Sequence, residues 1–272
     1  MIGTRPSRTF HALAFALVAS AAGAAGPDAK ALVAKMKDAF EPAKASARTV
    51  TLTVTNEGTS TQVLLGQART TSGGGKQVLT VVLAPAELRG MAYLIQEQPQ
   101  GPNDKIWNYI PAIGRVRILV SPEAYSAFLN SDYTYSDLGF VSLRAKYGAV
   151  KEETVNGAKA YSVETIPPSS WYYSRIVSTI AADTSLPIER KFYDPANALW
   201  KDEKFENTAV IDGVPTVMKS TMNDVQAKSS STLEVGDVRY NVDIPAGLFE
   251  PRDMPKAAAS PLWSSLKGGA GK

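Results

Sequence analysis

Along most of this chain apolar and polar residues alternate with a period of two, the pattern of extended strands. Residues 49–55 and 61–70 are rich in threonine and valine around a turn at Gly58, and the Gly73-Gly74-Gly75 triplet opens a hairpin into 76–83. No Lys-Ser/Thr pair or helix follows that triplet, so it reads as a turn and not as a phosphate cradle. Further runs at 91–97, 104–109 and 115–120 are divided by residues 85–90, by 99–103 and by a turn carrying Pro111 and Gly114. After residue 147 the texture resumes. Runs 147–153 and 158–165 meet at Asn156-Gly157, a strong hairpin signal. Runs 174–181, 188–193 and 199–207 are separated by turns at 183–187 and Asp194-Pro195, and Asp212-Gly213 leads into 217–222 and then 231–242. The whole reads as about ten or eleven antiparallel strands in a strongly curved sheet or half-barrel. One stretch has a helical period instead. Residues 28–40 place Leu32, Val33, Met36 and Phe40 on one stripe, with Asp28 set to cap the start and Pro42 beyond the end.

Several strand runs are bulky on both pleat faces. Met91, Tyr93 and Ile95 oppose Ala92 and Leu94, and Val78 and Val82 oppose Leu79, Val81 and Leu83. A sheet with one wet face alternates more cleanly. Two arrangements fit: a double-layer sandwich with a filled core, or a sheet wrapped round an apolar hollow and covered by helices.

The first residues change the chemistry available. Arg5 and Arg8 precede an apolar run over 10–22, and Ala22-Gly23-Ala24 supplies a small-residue cleavage site. Residues 1–24 therefore read as a secretory signal peptide, with an uncleaved N-terminal anchor as the alternative. The only histidine, His11, lies inside that segment, and the chain has no cysteine. An exported chain of this composition has no disulfide, thiolate nucleophile, Ser-His-Asp triad or usual zinc site, and no cysteine to carry a lipid anchor. Loss of Arg5 and Arg8 takes Lys+Arg from 29 to 27 against 26 acidic residues, a balance that gives nucleic acid no footing. Residues 25–254 form one domain, and 255–272, small and Gly-rich, are expected to be a disordered tail.

The densest chemistry lies in residues 104–138. Trp107 and Tyr109 share one strand face, Arg115 and Arg117 share another, and a helical patch follows over 123–129. The segment closes on Ser131-Asp132-Tyr133-Thr134-Tyr135-Ser136-Asp137-Leu138, aromatics and carboxylates at tight spacing. Trp107, Tyr109, Pro111, Arg115 and Arg117, then Phe128, Ser131, Asp132, Tyr133, Thr134, Asp137 and Leu138, resemble the signature of the outer-membrane lipoprotein-sorting, LolA-like family. Asn130 stands where such sequences often carry glycine, and Ser136 where an acidic residue is common.

The resemblance implies a bent antiparallel sheet around a helical lid, with an apolar cavity for acyl chains between them. The cavity and lid residues are then Met91, Tyr93, Ile95, Trp107, Tyr109, Arg115, Arg117, Phe128, Leu129, Tyr133, Tyr135 and Leu138, with Ser131, Asp132 and Asp137 shaping the loop. Arg115 and Arg117 either meet a phosphate or ester oxygen at the mouth or bridge to Asp132 or Asp137 on an exposed face. Tyr133 and Tyr135 are lid aromatics or ordinary core, and Asp132 caps or turns the loop that holds them. The function implied is a monomeric, non-lipidated periplasmic carrier of lipid or lipoprotein acyl chains, moving them from an inner-membrane transporter to an outer-membrane acceptor. It requires no cofactor or metal. The alternative is an envelope sensor or transporter accessory on the same scaffold, with a partner footprint around residues 171–173. Asp132 and Asp137 as a hydrolytic pair have no visible third group or defined cleft, so an enzyme is not expected.

Overall fold

In the computed structural model, which describes residues 27–98, 104–120, 123–139, 145–169, 171–245 and 247–266, every extended run of the sequence becomes a strand of its own. The strands are β1 (Ser46–Asn56), β2 (Thr59–Ser72), β3 (Gly75–Ala84), β4 (Ala92–Gln96), β5 (Lys105–Ile110), β6 (Arg115–Leu119), β7 (Lys146–Val155), β8 (Ala158–Ile166), β9 (Arg175–Ala181), β10 (Pro187–Tyr193), β11 (Leu199–Ile211), β12 (Val214–Asp224) and β13 (Ser229–Tyr240). The described residues thus hold thirteen strands where ten or eleven were expected. The short ones, β4 to β6 above all, each keep a separate place in the ladder. All neighbours pair antiparallel in one open sheet of order β6-β5-β4-β3-β2-β1-β13-β12-β11-β10-β9-β8-β7.

This order is two meanders, β1–β6 and β7–β13, joined where β1 pairs β13. Strands β6 and β7 are the two edges, so the chain must pass from one edge of the sheet to the other between them. That crossing, described over 123–139, carries the signature. The sheet also curls. Tyr125 in the crossing packs beside Ile106 and Leu119 of β5 and β6. The same ring lies 4.4 Å from Tyr172 and 4.9 Å from Trp171, just ahead of β9. Strands β6 and β9 are ten places apart in the sheet, roughly 48 Å if it were flat. One side chain touches both sides only because the sheet wraps round it.

The crossing runs through the hollow as three short 3-10 helices, Glu123–Tyr125, Phe128–Asn130 and Asp137–Gly139. Helix α1 (Ala29–Phe40), capped by the Asp28 carboxylate, which accepts from the Ala31 N–H at 2.7 Å, lies against β7, β8 and β12. Its Met36 packs on Val163 and Ile180. No separate helical lid covers this face among the described residues; α1 and the crossing share the work. Asn130 occupies the left-handed region at φ 58°, which asparagine adopts more readily than most residues.

The opposite face of β1–β5 is also covered. Leu79, Val81, Ala92 and Leu94 pack under a 3-10 helix over Pro251–Ala259 and helix α2 (Leu262–Leu266). Met254 and Leu266 are almost fully buried there. Over 255–266 the expected disordered tail is instead packed structure: its few large apolar residues, Leu262, Trp263 and Leu266, all land on the sheet. Residues 267–272 and the signal-peptide segment 1–24 lie outside the described residues. Among the described residues no helix is long and apolar enough to cross a membrane.

Candidate functional site

The crossing segment is fastened to the sheet by two carboxylates. Asp132 accepts from the hydroxyls of Ser229 and, at 2.6 Å, Ser231 in β13. Its backbone N–H donates to the Ser231 Oγ at 2.9 Å, and its carbonyl accepts from the Lys201 Nζ of β11 at 2.5 Å. Asp132 thus anchors the loop across strands, where a local cap was expected. Asp137 takes the local role. Its carboxylate accepts from the Thr134 N–H at 2.8 Å while the Thr134 hydroxyl accepts from the Asp137 N–H at 3.2 Å, a reciprocal capping pair. The same carboxylate accepts from the hydroxyls of Tyr173 at 3.1 Å and Tyr172 at 3.2 Å.

Burial pushes the Tyr133, Tyr172 and Tyr173 hydroxyls well above the ordinary tyrosine range, and for the latter two the Asp137 charge adds to it. Below this cluster, Arg190 of β10 faces Glu203 of β11 in register and donates to it through Nε at 2.9 Å and Nη2 at 2.5 Å. Burial alone would lower the Arg190 pKa; the Glu203 carboxylate beside it holds it above the usual value.

Among the described residues, two cavities lie beneath α1 and the crossing. The outer one, about 310 Å³, is bounded by Val33 and Met36 of α1, Ile176 of β9, Phe192 of β10, Trp171 and Tyr173. The inner one is about 60 Å³ and carries Arg48, Gln67, Arg69 and Tyr133 in its wall with Leu65 and Val217. Asp137 and Arg190 belong to both walls.

The residues named from the sequence do not gather in one place. Tyr93, Phe128, Met91, Leu129, Tyr135 and Leu138 pack together against Val50, Leu52 and Leu65. The Tyr93 ring lies 4.8 Å from Phe128 and 5.1 Å from Tyr135. Ile95 sits nearby with Val78 and Ile106, and Tyr133 joins Tyr173, Phe192 and Met222. Trp107 and Tyr109 turn to the opposite face, under the C-terminal helices, where the Trp107 Nε1 donates to Gln96 Oε1 at 3.2 Å. Arg115 is exposed, and Arg117 reaches Glu123 at 3.9 Å, neither Asp132 nor Asp137 being its partner. Ser131, Asp132 and Asp137 are buried in the crossing.

Of that set, Asp137 borders the outer cavity, and Tyr133, Asp137 and Leu138 border the inner one. The outer wall is built instead from the α1 stripe and from Trp171 and Tyr173, which lie in the expected partner footprint. Arg190 was legible in principle, since it shares a pleat face with Phe192 two residues on.

No curated protein matches the chain. A family model described as that of an uncharacterized protein matches residues 74–256. An outer membrane lipoprotein-sorting protein domain from Vibrio parahaemolyticus superposes with a TM-score of 0.76 at 24% identity, covering 84% of this chain and 100% of that one. A DUF1329 family protein from Desulfovibrio piger gives 0.75 at 24% identity over 83% and 98% of the two chains. A LolA superfamily protein from Nitrosomonas europaea gives 0.65 at 18% identity over 81% and 96%. At these identities the likeness is one of fold, and it is the fold implied by the signature in residues 104–138.

Proposed function

We propose that this chain, which belongs to the family of uncharacterized proteins matched over residues 74–256 and has the fold of LolA superfamily proteins, is a non-catalytic periplasmic carrier that holds acyl chains in the cavity beneath α1. The observation that carries this reading is the outer cavity itself. Its volume of about 310 Å³ is at the lower end of the range of small-molecule sites, about 300–1,000 Å³. Its wall joins aromatic and aliphatic side chains (Val33, Met36, Trp171, Tyr173, Ile176 and Phe192) with polar ones that include Lys37, Glu97, Asp137 and Arg190. Eight methylenes buried there would gain about 6 kcal/mol before ordering costs.

Helix α1 is the movable cover in this reading. It is held by side chains more than by backbone: Lys37 pairs with Glu97, and the Lys76 Nζ donates to Asp38 at 2.7 Å. The carrier reading is preferred to a sensor because Tyr173, within the footprint a partner would need, is buried and lines the cavity.

The test is native mass spectrometry of the chain purified from a bacterial periplasm, followed by extraction of bound lipid. A copurifying amphiphile that is lost in Ile176→Trp, with the fold intact by circular dichroism, is the expected result. A clean apo mass with no uptake of offered fatty acid or phospholipid would sink the proposal.

A further inference from the structure

The inner cavity is built unlike a hydrophobic core. Arg48 and Arg69 lie on adjacent strands and on the same pleat face: Arg48 is opposite Gln67 in the β1–β2 register, and Arg69 is two residues further along. Such diagonal neighbours lie about 7–8 Å apart. Both are buried, at 4% and 6% exposure, and both line the cavity.

The other charges in that wall have partners. Arg190 is paired with Glu203, the Asp137 carboxylate is taken by tyrosine hydroxyls and the Thr134 N–H, and Lys219 turns toward Glu234. Arg69 donates to Gln67 Oε1 and to the Phe40 carbonyl, both at 3.1 Å. Arg48 has far less. Its Nη2 reaches the Tyr240 hydroxyl at 3.3 Å, and its Nε–H is buried with no acceptor. A buried guanidinium with an empty donor is costly unless an anion completes it. Glu41 acts electrostatically on both arginines, but its buried Oε1 has no hydrogen-bond partner and burial raises its pKa, which weakens it as a counter-charge. Burial, with the Arg69 charge adding to it, lowers the Arg48 pKa to about 10, and Tyr240 and Glu41 offset this only in part.

We propose that Arg48 and Arg69 form a carboxylate-binding subsite, which takes the head group of an amphiphile whose apolar part occupies the outer cavity. A guanidinium presents its donors in a fork that matches a carboxylate, and the void of about 60 Å³ has room for such a group, a water needing only about 10–15 Å³ on the same measure. The side chains of Asp137 and Arg190, common to both cavities, mark where the chain would leave the head group. This assignment deepens the carrier reading and rests on it.

The test is calorimetric titration of the chain with decanoate, decanol and acetate at neutral pH. Decanoate is expected to bind about ten-fold or more tightly than decanol. Arg48→Met should remove most of that difference, and Arg69→Met should act in the same direction. Equal binding of decanoate and decanol by the unmodified chain would overturn the subsite and leave the carrier standing. Failure of both to bind would overturn the carrier reading with it. Acetate binding as tightly as decanoate would show a site for small carboxylates and overturn the amphiphile. Because the decisive comparison is made on the unmodified chain, a variant that fails to fold does not shield the proposal.

Discussion

Gly66 of β2 lies directly beneath the indole of Trp263: a Cβ placed on residue 66 would stand 2.7 Å from Cε3 and 2.8 Å from Cδ2 of that ring. The ring is held in turn by its Nε1, which donates to the Ala257 carbonyl at 2.7 Å. Glycine is required here by contact and not by backbone conformation. Gly66→Ala is therefore expected to destabilise the fold by about 1–3 kcal/mol through overpacking. Trp263→Ala should cost about 3–5 kcal/mol through the cavity it leaves. The two changes touch, so the double variant should be less destabilised than their sum. Denaturant unfolding of the three variants decides it; strict additivity would mean that residues 262–266 are not seated on β2.

This contact also shows where sequence reading ends. The strands were legible because β1 and β2 alternate visibly: Val50 and Leu52 share a face, as do Val63 and Leu65. Their turns are marked by Gly58, Asn156-Gly157 and Asp212-Gly213, each of which adopts positive φ at the glycine. The same alternation places Arg48 and Arg69 at the ends of those apolar faces, so their burial was written in the chain but only as parity. Residues 255–266 were not legible. Their burial depends on a long-range contact with Gly66, and a segment rich in alanine and serine gives no local sign of it. The two-faced bulk of β3 and β4 fitted either a filled sandwich or a wrapped hollow, and pattern alone does not say that one face meets the crossing segment and the other the C-terminal helices.

Asp132 should matter more to the order of the crossing than to global stability. Its carboxylate serves two serine hydroxyls of β13, while its backbone is held independently by Ser231 and Lys201. Asp132→Ala leaves those hydroxyls unpaired and is expected to cost about 1–3 kcal/mol. Its clearest effect should be faster amide hydrogen exchange over 123–139, with β1–β4 unchanged. Uniform acceleration across the sheet would instead make Asp132 an ordinary core group.

The buried tyrosines predict a stability limit at alkaline pH. Tyr133, Tyr172 and Tyr173 have folded-state pKa values raised above the model-compound value of 10.0 by burial. Their neutral hydroxyls therefore contribute stability that is fully present below about pH 10. Above it the unfolded chain releases protons that the folded chain keeps, so stability falls as pH rises toward the folded values. Ultraviolet difference absorbance should show these three tyrosines ionising only together with unfolding, as followed by circular dichroism. Free titration of all tyrosines near the ordinary value in a still-folded protein would refute it.

The Arg190–Glu203 pair separates two roles that a buried ion pair can have. Both side chains are nearly inaccessible, at 8% and 3%, so each charge depends on the other for its solvation. Glu203→Gln leaves the guanidinium without its counter-charge and should destabilise the protein by about 3–5 kcal/mol. Replacing both, as Arg190→Met with Glu203→Leu, removes the desolvation penalty together with the pair, so much of that loss should return. If the pair only stabilises the fold, the double variant is close to the unmodified protein in every respect. Arg190 also walls both cavities, so a different result is expected: stability recovered, but binding of decanoate weakened, because a cation common to both walls has become apolar. Denaturant unfolding and calorimetric titration of the same double variant read the two effects apart. Recovery of stability with decanoate binding unchanged would assign the pair to structure alone.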